Sequence, residues 1–282
     1  MTPLQKPGTK RSSPASRMRD VPLGFIPRVE GSRKHRAILD EVLTVPWVMV
    51  NLNVAEHLSR GGVAASDFFR NGLVVTTSTI HDSLLAKYHP ERELDTVLRF
   101  GPALHIPSDR PVYVEDSSKG REWFIDSMVE GTLFLMDHLE GSGIGLLPLI
   151  KGTVPEEWLR CYRPLSDAGF THFSFYAGQY FSRKNGRRDA ELVNTIRGIV
   201  STCGLDYLAI VGYQSVQRLH DLPTQVKSLA GQRWLRACRV QEVGISKSAR
   251  LLDLYVSSFR GRRRVRQETI RSPVLRPVGE VA

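Results

Sequence analysis

Three short apolar runs in the second half of the chain each stop at glycine and polar residues. They span 145–153 (Gly-Leu-Leu-Pro-Leu-Ile-Lys-Gly-Thr), 171–180 (Thr-His-Phe-Ser-Phe-Tyr-Ala-Gly-Gln-Tyr) and 205–215 (Leu-Asp-Tyr-Leu-Ala-Ile-Val-Gly-Tyr-Gln-Ser). Helix-like segments at 155–168 and 189–201 separate them, so the repeating unit is strand, polar turn, helix. A strand that returns to its sheet through a helix lies parallel to the strand before it. The pattern therefore predicts an α/β fold, a (β/α)8 TIM-type barrel. In such folds ligands are held at the C-terminal ends of the strands. Lys151, Gly178, Gln179, Gly212 and Gln214 fall there.

Further strands are expected at 21–27, at 47–53, which ends in Asn51 and Asn53, at 73–77 and at 103–109. Helices are expected at 33–43, 80–88 and 121–139, the last with Phe124, Met128, Leu135 and Leu139 on one face and Gly141 to Gly145 as its stop. Residues 225–240 read as helix, with Val226, Leu229, Trp234 and Ala237 on one face, while 234–240 is the alternative place for an eighth strand. A chain of 282 residues, 41% hydrophobic, can bury one large core, which suits a single domain. The domain is expected at 21–258, between a disordered basic arm at 1–20 and a basic tail at 259–282.

Net charge is +10, and its placement is uneven. Residues 1–45 carry nine Lys and Arg against four Asp and Glu, residues 260–282 carry seven against two, and 46–259 hold 23 of each. The tail contains a compact cluster, Arg260, Arg262, Arg263, Arg264 and Arg266. Such clusters contact phosphate backbones, each neutralised phosphate releasing counterions, so these arginines are the expected nucleic-acid contacts. A solvated tail with no partner is the other reading. The polar N-terminal residues and the lack of an 18-residue apolar run predict a soluble, cytoplasmic protein without a membrane partner.

Cys161, Cys203 and Cys238 form no C-x-x-C pair, and the eight histidines have no ligand spacing, so no metal site and no disulfide framework are expected. No cofactor is signalled. Gly141, Gly143 and Gly145 precede a strand, which is the wrong context for a phosphate-binding G-x-G. Carboxylates remain: Asp109 at a strand end and Asp116 shortly after it. An Asp in the first position can accept hydrogen bonds from a purine edge or act as a nucleophile; otherwise Asp109 is a turn residue and Asp116 a helix cap. Lys151 can meet a phosphate or a carbonyl oxygen, or merely extend from a strand end. Gln179 and Gln214 can bond a base edge twice, and Gly178 and Gly212 let a flat ligand approach the backbone.

The ordered set Leu149-Ile-Lys-Gly-Thr153, a helix opening Pro155-Glu-Glu-Trp158, Phe175-Tyr-Ala-Gly-Gln179 and Ile210-Val-Gly-Tyr-Gln-Ser215 resembles the tRNA-guanine transglycosylase superfamily over residues 100–240. It looks closest to the branch that places 7-deazaguanine derivatives in DNA. The resemblance implies a guanine transglycosylase (a pentosyltransferase) that replaces guanine in DNA, or in tRNA, with a 7-deazaguanine co-substrate. It puts Asp109 at base recognition and Asp116 at a catalytic position, with Asn51, Asn53, Lys151, Gly178, Gln179, Gly212 and Gln214 around the base. The family's Asp-Ser-Gly-Gly run is missing, Asp116-Ser117-Ser118 being its nearest likeness, and no Asp stands in 231–236, where the family nucleophile would fall. A catalytically reduced barrel that binds nucleic acid or a partner, and a barrel enzyme acting on a small phosphorylated metabolite, are the alternatives.

Overall fold

The structure is a computed structural model describing residues 21–42, 44–181, 188–215 and 218–271, the last twelve by backbone alone. Strands and helices alternate along the chain: β1 (Gly24–Val29), α1 (Arg33–Glu41), β2 (Trp47–Asn51), α2 (Leu52–Arg60), α3 (Ala65–Phe68), β3 (Leu73–Thr77), α4 (Asp82–Leu85), α5 (Pro90–Phe100), β4 (Leu104–Ile106) and α6 (Ser118–His138). They continue with β5 (Gly145–Leu146), α7 (Pro155–Asp167), β6 (Phe173–Tyr176), α8 (Asp189–Cys203), β7 (Leu208–Val211), β8 (Val226–Gly231), α9 (Arg233–Ala237) and α10 (Ile245–Arg271). All pairings are parallel, in the order β5-β4-β3-β2-β1-β8-β7-β6.

This sheet curls until its two edges meet, giving the expected (β/α)8 barrel. Leu149, three residues beyond β5, makes a lone parallel bridge to Ser174 of β6. There the Ile150 N–H donates to Ser174 O at 2.8 Å and the Ser174 N–H to Pro148 O at 2.7 Å. Pro148 has no N–H to give, which keeps the junction short.

Strands covered on both sides need no polar alternation, and Leu208–Val211 of β7 is buried throughout. Ile26, Val48, Val50, Val75, Ile106, Leu149, Phe173 and Ile210 are all 1% exposed or less; burying such side chains contributes about 1.5–3 kcal/mol each. Helices close over this sheet with local stops and starts, as at α1, where Ser32 caps the first turn by accepting the His35 N–H at 3.1 Å while Ile38 and Leu39 face inward.

The region 225–240 departs from the helical expectation. Val226–Gly231 is the eighth strand, and only Arg233–Ala237 is helical. The spacing of Val226 and Leu229 mimics a helix face, but a strand buried on both sides shows no period of its own. The strand suggested at 234–240 is therefore displaced upstream. Helices α2 and α5 lie where no element was expected, and the helix expected over 80–88 is confined to Asp82–Leu85.

The boundary expected at 258/259 falls inside α10. Asp253 accepts a hydrogen bond from Thr44, in the connection leading up to β2. Phe259 stacks on Phe25 (5.1 Å between ring centroids, 21° between planes) and Tyr255 meets Phe25 edge-on. Phe25 is the second residue of β1, so α10 runs antiparallel to the strands and reaches their N-terminal ends by Phe259. The expected arm at 1–20 and residues 272–282 lie outside the described residues. No described helix is long and apolar enough to cross a membrane.

Candidate functional site

A cavity of about 390 Å³ opens at the C-terminal ends of the strands. Six of the eight strands feed it: Arg28 from β1, Asn51 from β2, Thr79 to Asp82 after β3, Asp109 and Tyr113 after β4, Lys151 after β5, and Tyr176 with Gly178 and Gln179 from β6 and its turn.

Asp109 is turned into this cavity by a buried polar scaffold. Glu93 of α5 accepts the Ser108 N–H at 2.8 Å and lies 2.8 Å from His105 Nε2, while Thr76 Oγ1 sits 2.9 Å from His105 Nδ1. Ser108 is held at φ 52°, in the left-handed region, and its hydroxyl presses on α6, where a Cβ at Gly131 would lie 2.7 Å from it. The Asp109 N–H then donates to Ser78 Oγ at 2.8 Å. His105, Glu93 and Ser108 are fully or almost fully buried, so this acid, histidine and serine set supports the loop and does not face the cavity.

Lys151 is fixed with equal care. Burial pushes the Glu157 carboxyl up, but the Thr153 N–H, Arg121 and the Thr153 hydroxyl together outweigh it and hold the group below the usual carboxylate range. Trp158 Nε1 donates to Gly152 O at 3.1 Å, and Cys161 Sγ brackets the Lys151 backbone. Burial raises the Cys161 thiol to about 12, so it stays protonated. The Lys151 ammonium lies 2.5 Å from Asp109 Oδ1, donates to Arg110 O at 2.8 Å and stands 5.6 Å from the centre of the Tyr176 ring.

Burial holds the Asp109 carboxyl above its ordinary value, and the Lys151 ammonium and a backbone N–H oppose this without reversing it. A carboxylate oxygen has more than one lone pair, so Asp109 Oδ1 keeps accepting capacity beside the Lys151 contact although the residue is 3% exposed. Arg28 lies across the floor, donating from Nε to Asn51 Oδ1 and from Nη2 to Thr79 O, each at 2.5 Å. Nearer the mouth, Tyr113 OH donates to Asp82 Oδ2 at 2.6 Å, and Asp82 is exposed. The cavity thus offers one deep carboxylate, one outer carboxylate, two cations and two phenol rings.

The chain matches no protein-family model and no curated protein sequence.

Of the residues singled out from sequence, Asn51, Asp109, Lys151, Gly178 and Gln179 line this one cavity. Gly212 and Gln214 line a neighbouring one of about 240 Å³ with Phe181, Tyr213 and Arg233, where Gln214 Oε1 accepts the Arg233 N–H at 2.6 Å. Asn53 and Asp116 line neither; the Asp116 carboxylate closes a turn by accepting the Tyr113 N–H at 2.9 Å. Arg260, Arg262, Arg263, Arg264 and Arg266 lie on the helical backbone of α10.

Sequence reasoning missed Arg28, Asp82, Tyr113 and Tyr176. A charge near the end of an apolar strand was the available signal for Arg28, and the polar run after β3 for Asp82. Among the described residues no group of three or more His, Cys, Asp or Glu side chains is placed to hold a metal ion, and the three cysteines are free and buried.

Proposed function

We propose that the rim cavity binds a guanine-like base and that the protein is a base-exchange transglycosylase, replacing guanine in DNA, or in tRNA, with a 7-deazaguanine derivative. The observation that carries this reading is the convergence of two carboxylates, Asp109 deep and Asp82 outer, on one cavity at the strand C-termini.

A guanine-like base offers ring and amino N–H donors beside a carbonyl acceptor. Asp109 Oδ1, with capacity to accept, suits the donors, and the Lys151 ammonium beside it suits the carbonyl. Tyr176 and Tyr113 supply aromatic surface for a flat ring. The base enters with its glycosidic nitrogen toward the mouth, where a target nucleotide has left its stack. Asp82 then meets the sugar. Its oxygen bonds to C1′ as the bond from C1′ to the base nitrogen breaks, and the leaving base takes the electron pair and then a proton from water. The incoming deazaguanine returns its ring-nitrogen proton to water, bonds through that nitrogen to C1′ and releases the carboxylate with the C1′–O electron pair. Asp116 takes no part in this scheme, since its carboxylate is engaged in the turn.

Because Lys151 is already neutralised by Asp109, its surroundings suit a base edge better than the phosphate of a small metabolite. The open cavity also speaks against a barrel closed to ligands.

The test is incubation with labelled 7-deazaguanine and, separately, duplex DNA, single-stranded DNA and tRNA. Label enters one of these with the native protein. With Asp109→Asn, incorporation falls by about 100-fold, the cost of about 3 kcal/mol for unpairing a buried charge and losing an acceptor. No incorporation into any nucleic acid by the native protein overturns the proposal.

A further inference from the structure

The strongest charge cluster in the chain does not stand at the cavity. Helix α10 reaches the N-terminal ends of the strands by Phe259, which packs on Phe25 at the start of β1, and continues without a break to Arg271. Twelve further residues at 1.5 Å per residue carry it about 18 Å past the barrel. The cavity opens at the other end. Val21, where the described chain begins, leads into β1 at this same N-terminal end.

We infer that residues 260–271 form a docking element for double-helical DNA on the face opposite the cavity, so that DNA is held there independently of whatever fills the barrel mouth. Three observations carry this inference. First, every basic residue in the segment is arginine, whose planar fork pairs with phosphate oxygens through two bonds at once. Second, only Val265 and Ile270 are apolar, which leaves no apolar stripe for a membrane surface or for packing on another helix. Third, the pairs 260/263, 260/264, 262/266 and 263/266 put like charges three or four residues apart, a spacing that opposes the helix, with Glu268 the one carboxylate in the segment. A polyanion laid along the segment removes that repulsion, so binding and helix formation reinforce each other. The major groove of DNA is about 12 Å wide and admits a helix, whereas that of double-stranded RNA is too narrow and deep for side chains to read.

The consequence is geometric. Helix α10 is about 40 Å long from end to end, so DNA docked on its far part is not the stretch that presents a nucleotide to the cavity. Binding and base recognition are therefore separable.

The experiment measures affinity of the full chain for a short labelled duplex across a salt series, alongside far-ultraviolet circular dichroism. Changing Arg260, Arg262, Arg263, Arg264 and Arg266 together to Gln lowers affinity at least tenfold and reduces the salt slope by about four, as about five lost phosphate contacts require. Helicity rises on adding DNA to the native protein and not to this variant, while Arg233→Gln, an exposed change at the cavity end of the barrel, binds the duplex as the native protein does. Unchanged affinity and salt slope in the Gln variant overturn the inference, as does equal competition by double-stranded RNA or by an acidic polypeptide. Loss of duplex binding in Arg233→Gln also overturns it, because that result would place the DNA at the mouth.

Discussion

Gly152 shows how much of the cavity depends on a single backbone position. It sits at φ 124°, and a Cβ built there would lie 2.5 Å from Glu157 Cβ. A side chain therefore meets both an unfavourable backbone conformation and a wall. Gly152→Ala is expected to destabilise the protein by about 2–4 kcal/mol, seen as a lower denaturant midpoint, and to displace Lys151 from Asp109. An unchanged midpoint would show that the loop yields freely. Asp109 and Lys151 are a different case, because burial of the carboxylate prevails and the ammonium beside it offsets only part of that cost. Mutating either leaves the other charge without its counterpart in a nearly closed space.

At the scale of elements, two carboxylates on helices tie the loops of the rim to the outer layer. Glu157 of α7 holds the turn after β5, and Glu56 of α2 is bonded by Tyr88, Arg60 and Arg92. For both groups burial works toward a higher pKa and the surrounding donors prevail, so the folded value lies below the unfolded one. Their stabilisation is complete above the usual Glu range and disappears as pH falls through the folded values. Chemical denaturation across the acid range should therefore show stability falling with pH, and Glu157→Gln should flatten that dependence. An equally steep curve in the variant would remove Glu157 from the account. The elements most legible in sequence were β5, β6 and β7, where apolar runs stop at glycine, with the helices α7 and α8 between them. Residues 226–231 were misread because a strand covered on both faces carries no alternation. Asp109, Lys151 and Gln179 were legible as strand-end residues, whereas Arg28 and Asp82 were not, since nothing local marks which strand ends share a cavity.

For the whole molecule, the ring of strands is unevenly fastened. Neighbours such as β2 and β3 pair over five residues, while the circle is completed by one bridge at Leu149 and Ser174. Native-state hydrogen exchange should find the amides of Ile150 and Ser174 opening at lower free energy than those of β1 and β2, and a base bound at the mouth should slow them. Uniform protection around the ring, with no response to ligand, would contradict this. Lys151 lies two residues from that bridge, so the barrel resembles a bracelet whose clasp sits beside its setting. Whatever loosens the clasp also loosens the grip on the guest, and an occupant touching Lys151 helps to keep the band shut.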